Sequence, residues 1–125
     1  MLVDTDVLIW NLRGNREAAA ILDQSTAVAL SAVSYMELLQ GLRDKSELRI
    51  LRQAIRYWRA DLLPLDHDIS SRAMYLMETY SLSHGLQMAD AMIASTALSA
   101  GLPLFTANDK HYRFIDDLEL HVFRP

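Results

Sequence analysis

Short apolar runs alternate with amphipathic helical patterns along the chain, and this alternation limits the fold more than any other feature. Each run is short and bounded by turn-forming or polar residues, which is typical of a buried strand. The runs are residues 2–3, 26–30, 61–65, 102–106 and 120–123. Parallel strands need crossover connections, which helices usually supply. The pattern therefore predicts an α/β fold with a central, mostly parallel sheet of about five short strands and helices on both faces.

Helical patterns fill the intervals between the runs. Gly14 suits the position just after the first helix and Asn15 the cap of the second. Thr5 or Asp6 is a candidate cap of the first helix, and Asp66 or Asp68 of the fifth. The third predicted helix begins at Ser34, and the fourth spans residues 46–59. The sixth begins at Met88 and is ended by Gly101, and a short last helix runs from Asn108 to about Asp116.

Length and composition describe one domain, residues 1–125. The chain is 51% hydrophobic and 22% charged, and it has no cysteine, so a metal would be bound by oxygen or imidazole. It contains no apolar run of about 18 residues, which a membrane span needs, and no basic leader. We therefore expect a soluble, cytoplasmic protein without a membrane partner. The net charge of −4 argues against a uniformly basic nucleic-acid binder.

One predicted helix concentrates positive charge. Leu48, Leu51, Ile55 and Trp58 follow helical spacing on one face, and basic residues follow the same spacing on another. An ordinary solvated face is one interpretation, and contact with nucleic-acid phosphates is the other. The basic residues are Lys45, Arg49, Arg52, Arg56 and Arg59.

Four acidic positions lie beside predicted strand ends, among apolar residues: Asp4, Glu37, Asp90 and the Asn108–Asp109 pair. Each alone can be explained as a helix cap. Glu37 forms a capping-box pattern with Ser34, Asp90 lies in a first helical turn, and Asn108 or Asp109 precedes the last short helix.

Taken together, these acids indicate a cation site. Carboxylates about 4 Å apart repel by roughly 4 kcal/mol at an effective dielectric near 20, so a cation is needed to hold several of them together. Carboxylate oxygens without cysteine favour a hard ion, Mg²⁺ or Mn²⁺, that keeps positions open for a phosphate. The pattern therefore indicates metal-assisted phosphoester hydrolysis.

Four sequence blocks resemble the signature blocks of PIN-domain ribonucleases, and the most similar subgroup is the toxins of bacterial VapBC toxin–antitoxin pairs. The resemblance covers the whole chain in order. It implies a three-layer PIN-like fold with Asp4, Glu37 and Asp90 as catalytic metal ligands. The blocks are residues 3–9, 34–41, 88–97 and 104–112.

The fourth block departs from the family pattern. In the family pattern, an acid or Asn lies two residues after the Thr, and in this chain that position is Asn108. An Asp often lies just before the final aromatic residue of the pattern, and in this chain that position is His111. We expect Asn108 and Asp109 to contribute to the catalytic site, and Thr106, Thr5 and Asp6 to support it.

The resemblance also implies a function and partners. The expected reaction is hydrolysis of an RNA phosphodiester by metal-activated water, on single-stranded or loop RNA such as tRNA, with a 5′-phosphate product. The expected partners are a VapB-type antitoxin and a second copy of the chain in a homodimer. The basic face would guide RNA toward the acidic site.

Two alternatives stay open from the residues alone. The sequence Asp4-Thr5-Asp6 also resembles the D-x-D motif of haloacid-dehalogenase-like phosphatases. Such an enzyme would need a later lysine with a Gly-Asp-rich loop, and Lys110 has no such loop after it. The other alternative is a non-catalytic PIN-fold binding module, which the departures at Asn108 and His111 would support.

Overall fold

The computed structural model describes residues 1–125 and contains a five-stranded sheet between two layers of helices. The strand order is β3-β2-β1-β4-β5, and every pairing is parallel. The predicted α/β class, parallel sheet and helices on both faces are confirmed. The strands are β1 (Leu2–Val3), β2 (Ala29–Ser31), β3 (Asp61–Leu63), β4 (Leu104–Thr106) and β5 (Leu120–Val122).

Six α-helices and one 3-10 helix connect the strands. None of the helices is both long and apolar enough to cross a membrane. The α-helices are α1 (Thr5–Leu12), α2 (Arg16–Gln24), α3 (Ala32–Gln40), α4 (Lys45–Tyr57), α5 (His67–His84) and α6 (Met88–Ala100), and the 3-10 helix is Asp109–His111.

The strand residues feed two separate hydrophobic cores because successive side chains of a strand point to opposite faces. Leu2 and Leu104 pack with residues of α5 and α6 on one face. Val3 and Phe105 pack with residues of α1, α2 and α4 on the other. Both faces of β1 are therefore covered, which explains why the opening stretch is apolar at both strand positions.

Several helix starts differ from the prediction because the caps differ. Helix α1 begins at Thr5, since the Asp4 carboxylate accepts the Thr5 amide at 2.8 Å, so Asp4 is the cap and the prediction of Thr5 or Asp6 is wrong. Helix α3 begins at Ala32, since the Ser31 hydroxyl accepts the Val33 amide at 3.1 Å. The proposed capping box of Ser34 with Glu37 is therefore also wrong, because both residues lie inside α3.

Other boundaries follow the same logic. Asp66, not Asp68, caps α5 by accepting the Ile69 amide at 2.8 Å. Asn15 caps α2 as predicted, and Gly101 ends α6 with a left-handed φ of 66°. The predicted last helix to about Asp116 is only the 3-10 helix at 109–111.

Helix α4 ends earlier than the predicted 59. Trp58 is its C-cap and Arg59 has a φ of 52°, which interrupts the helical geometry. Arg59 therefore does not continue the basic face of α4, and that face consists of Lys45, Arg49, Arg52 and Arg56. We call these four residues the basic face below.

Candidate active site

The site forms where β1 and β4 end side by side. Val3 pairs with Phe105 in parallel register, so Asp4 and Thr106 emerge at the same edge of the sheet. The Asp4 amide donates to the Phe105 carbonyl at 2.9 Å, and the Thr106 hydroxyl donates to Asp4 Oδ2 at 2.8 Å. Asp4 is only 5% exposed. The strand pairing itself therefore holds the Asp4 carboxylate in place.

Asp6 lies on the other side of Thr106. Its Oδ2 accepts the Ala107 amide at 2.9 Å and lies 3.3 Å from the Thr106 hydroxyl, and its Oδ1 accepts the Val7 amide at 2.7 Å. The Thr106 oxygen in turn accepts the Asn108 amide at 3.0 Å. These contacts join the start of α1 to the loop after β4, which is what a supporting role for Asp6 and Thr106 requires.

Burial dominates the electrostatics of this pair. Burial and, after it, the nearby Asp6 charge raise the pKa of Asp4 to about 7, against the lowering effect of hydrogen bonds from Thr106 and from the Thr5 amide. Burial also raises the pKa of Asp6, against the amides that bind it. Negative charge at this position is therefore costly to the protein without a cation nearby.

Tyr112 connects Asp4 with Asp90, and sequence reasoning missed it. Its fully buried hydroxyl donates to Asp90 Oδ1 at 3.1 Å. The same hydroxyl lies close enough to Asp4 to help lower the pKa of that carboxyl, whereas burial followed by the two carboxylate charges raises the pKa of the phenol. The one signal in the sequence was an aromatic residue closing the block after β4.

His111 approaches the same carboxylate from its other oxygen. Its Nδ1 lies 3.2 Å from Asp90 Oδ2, and its side chain is 55% exposed, so the ring stands at the mouth of the site. The position that departs from the family pattern is thus in direct contact with a predicted site residue.

Glu37 reaches the site through Thr5. The Thr5 hydroxyl donates to Glu37 Oε1 at 2.8 Å, and Thr5 follows Asp4 directly in the chain. Glu37 is otherwise exposed. The structure therefore brings Asp4, Asp6 and Asp90 to one region and Glu37 to its edge. No three acidic or histidine side chains are close enough together to hold a single metal ion.

Asn108 and Asp109 do not turn into this region. The Asn108 side chain is exposed and makes no hydrogen bond. Asp109 Oδ1 forms an ion pair with Arg124 Nη1 at 3.1 Å, and Arg124 lowers the pKa of Asp109. Arg124 also donates to the Ala107 carbonyl at 3.4 Å. This ion pair ties the end of the chain to the loop after β4, and it was not foreseen from the sequence.

The oxygen donors at this edge are of the chemical type that a hard divalent cation prefers, although they do not converge on a single point. The oxygens of Asp4, Asp90 and Glu37 lie at one edge of the sheet, and the high pKa of Asp4 shows that its burial is not offset by positive charge from the protein. A bound cation would supply that charge and favour the ionised form.

The basic face lies away from the groove that reaches this site. A groove of about 530 Å³ runs between α1, α3 and α4 and is lined by Glu37, Glu47 and Ile50. At about 100° per residue, the members of the basic face fall within about 60° of one another, whereas Glu47 and Ile50 point roughly 130–170° away from the centre of that face. All four basic residues are exposed and none forms an ion pair.

Comparisons with known proteins agree with this geometry. The family model described as the PIN domain matches residues 1–117. Ribonuclease VapC19 of Mycobacterium tuberculosis is 32% identical over 124 residues, covering 94% of this chain and 96% of the relative. Ribonuclease VapC10 of the same species is 33% identical, covering 95% and 90%. A toxin–antitoxin complex from Klebsiella pneumoniae contains a chain with a TM-score of 0.79 and 29% identity, covering 94% and 93%.

The raised pKa of Asp4 predicts a pH-dependent stability. An acid with a higher pKa in the folded state keeps its proton there while the unfolded chain loses it, so the free energy of unfolding falls as pH rises from about 4 to about 7. We expect the metal-free protein to melt several degrees lower at pH 8 than at pH 5, measured by differential scanning fluorimetry in EDTA.

The Asp4→Asn variant should lose most of that dependence because it carries no ionisable group at this position. Asp68→Asn is the matched control: hydrogen bonds from Ser99 and Arg72 lower the pKa of Asp68, so it titrates below the window. Equal slopes in wild type and Asp4→Asn between pH 5 and 8 would contradict the assignment.

Proposed function

Because this chain belongs to the PIN-domain family, we propose that it is a metal-dependent endoribonuclease, the toxin component of a type II toxin–antitoxin system. The observation that carries the proposal is the buried Asp4 carboxylate at the joined ends of β1 and β4, held by Thr106, with the Asp90 carboxylate held by the neighbouring Tyr112 hydroxyl. The names of the related ribonucleases give the reaction class, and the Klebsiella pneumoniae complex gives the biological setting.

Asp4, Glu37 and Asp90 would hold the ion, which we propose to be Mg²⁺ or Mn²⁺. When bound, the ion supplies positive charge for the phosphate and acidifies the attacking water. The chain's own residues prepare the site. Thr106 fixes the Asp4 carboxylate, and Tyr112 fixes Asp90. Asn108 and Asp109, which the sequence predicts to contribute to the catalytic site, would lie at the rim of the site and would not bind the ion.

The phosphatase alternative is poorly supported by this geometry. Lys110 is exposed on the 3-10 helix and forms no ion pair with these acids. The binding-module alternative loses its main argument, because His111 contacts Asp90 and so belongs to the site.

The surface offers a place for an antitoxin. The groove between α1, α3 and α4 is lined by apolar residues such as Ile9 and Leu38, with Arg13 and Arg43 at its border and Glu37 at its end. We propose that a segment of a VapB-type antitoxin occupies this groove. A peptide there would cover Glu37 and block access to the site, which explains inhibition without a change in the fold.

We propose that the basic face of α4 contacts the backbone of an RNA substrate such as tRNA. The support is its charge: four exposed cations without ion pairs on one side of a helix in a chain of net charge −4. Phosphate contacts of this kind give affinity and salt dependence without sequence selection. Since the groove reaches the site on the other side of α4, the RNA would have to span the helix.

We also propose a homodimer through α5 and α6. Met74 and Met88 are 61% and 65% exposed, and together with Leu65 they line an apolar groove of about 440 Å³. Flexible methionine side chains on an exposed helix pair are typical of an association surface.

Removal of either carboxylate should abolish RNA cleavage. We expect Asp4→Asn and Asp90→Asn to cleave total RNA at least about 100-fold more slowly than wild type in Mg²⁺ or Mn²⁺, since an ion contributes several kcal/mol of charge stabilisation. Gel analysis of the fragments measures the rate, EDTA should stop the wild-type reaction, and Asp68→Asn should remain active. Undiminished cleavage by both site variants would refute the proposal.

Charge reversal on the basic face should weaken RNA binding and leave the chemistry intact. We expect the Arg49→Glu, Arg52→Glu double variant to raise KM for RNA with kcat unchanged. The salt slope of binding should fall by about one for each phosphate that the protein no longer neutralises. Arg16→Glu on α2 is the control for an exposed arginine elsewhere. A double variant with wild-type KM and salt slope would show that the face is only solvated.

A charge in the apolar groove should weaken the homodimer. We expect Met74→Glu to raise the dimer dissociation constant at least about tenfold, because the new carboxylate would be buried without a partner. Sedimentation velocity measures the mass distribution. Leu82→Glu, on the same helix but fully exposed, is the control and should associate like wild type. A monomeric wild-type protein would exclude this interface.

A further inference from the structure

Three ring side chains form a stack at the end of α5. The His84 ring lies almost parallel to the Phe114 ring, with centroids 4.4 Å apart and an angle of 18° between the planes. The Tyr80 centroid lies 5.1 Å from that of Phe114 and 5.7 Å from that of His84. Tyr80 and Phe114 are partly buried against the core beneath α5 and α6, whereas His84 is exposed. One face of the imidazole is therefore covered by Phe114, and the outer side of the ring is turned to solvent.

The His84 ring is held in this orientation. The Ser83 hydroxyl lies 2.7 Å from His84 Nδ1 and 3.4 Å from the Thr79 carbonyl, one helical turn earlier. Gly85 ends α5 with a left-handed φ of 69°, and its amide donates to the Ser81 carbonyl at 3.0 Å. A flat ligand would therefore stack on His84 without having to order a mobile side chain, which lowers the cost of binding.

The stack lies beside the carboxylates of the site. Helix α5 ends at His84, and Asp90 lies in the first turn of α6. Phe114 comes two residues after Tyr112, whose hydroxyl donates to Asp90 Oδ1 at 3.1 Å. Two residues of chain span at most about 7 Å, so one bound RNA strand reaches both the stack and the proposed site of cleavage.

An exposed flat ring beside a proposed ribonuclease site suits a nucleobase. Every base has a π-face, and proteins hold unpaired RNA bases by stacking them on aromatic side chains, with little regard to sequence. Bases inside a duplex are already stacked on one another and do not offer such a face. The competing interpretation is that His84 only shields Phe114 from water, a role that needs no ligand.

We propose that the His84 ring, backed by Phe114, is a stacking platform for an unpaired RNA base near the cleaved phosphodiester. The inference rests on the proposed endoribonuclease function and adds to it a binding residue and a required feature of the substrate. His84 acts in binding and takes no part in the chemistry. The platform selects for an unpaired base and not for a particular base, because its contact is with the π-face.

The test measures what a single base adds to binding. The probes are two fluorescently labelled RNA strands, one fully abasic and one abasic except for a central adenine, titrated with the full chain in EDTA and again in Ca²⁺. Fluorescence anisotropy should show that the adenine tightens binding to wild type at least about fivefold. We expect His84→Ala to lose this gain and His84→Phe to keep it, since phenylalanine preserves a flat ring.

Two further variants serve as controls. Tyr75→Ala removes another exposed aromatic side chain of α5, which lies about 180° around the helix from His84, and should bind like wild type. His84→Lys offers a positive charge without a ring and should not restore the gain. Melting temperatures in EDTA show whether each variant is folded, and this is expected because the His84 side chain is exposed.

The outcomes separate this inference from the proposed function. If the adenine tightens binding equally in wild type and His84→Ala, or if His84→Lys restores the gain and His84→Phe does not, His84 is not a stacking platform. Cleavage of RNA by the wild type would then still support the nuclease proposal. If the gain depends on His84 but the wild type cleaves no RNA with Mg²⁺ or Mn²⁺, the platform stands and the nuclease proposal fails.

Discussion

The hydrogen bond from the Thr106 hydroxyl to the buried Asp4 carboxylate joins residues 102 positions apart, and the site depends on it. It exists only because β1 and β4 are adjacent parallel strands in matched register. Asp6 and the Asn108 amide bind the same hydroxyl group from the loop side. The two central strands, the start of α1 and the loop after β4 are therefore positioned together, and an error in strand register would displace all of them at once.

The burial of the Asp4 carboxylate lowers the stability of the folded protein and strengthens charge interactions at the site. A carboxylate that is 5% exposed has a pKa near 7 and resists ionisation, although its position is stabilised by the strand pairing. The same burial excludes bulk water and strengthens any charge interaction made there. The proposed cation would offset this unfavourable burial. The free energy that the burial requires comes from a sheet with a hydrophobic core on each face.

The alternation of strands and helices predicts the parallel sheet correctly, because that inference needs only local patterns and the crossover rule. Local patterns could not choose between competing caps. Asp4 and Asp6 lie in one turn, and Ser31 and Ser34 lie in another. In each turn, the residue at which the strand ends decides which side chain caps the helix. Tyr112 and Arg124 were missed as partners of Asp90 and Asp109 because those contacts form between separate elements. The ligand assignments themselves remain predictions.

The positions of the charged residues limit how an RNA substrate could bind more than the net charge does. The acidic site lies at the strand ends and opens along a groove past Glu37 and Glu47, while the basic face lies on the other side of α4. A straight single strand lying in the groove would pass acidic side chains and miss the arginines of the basic face. An RNA that contacts both surfaces must bend around a helix about 10 Å in diameter. Folded RNA with an exposed loop meets that requirement, because its stem can lie on the basic face while the loop enters the site.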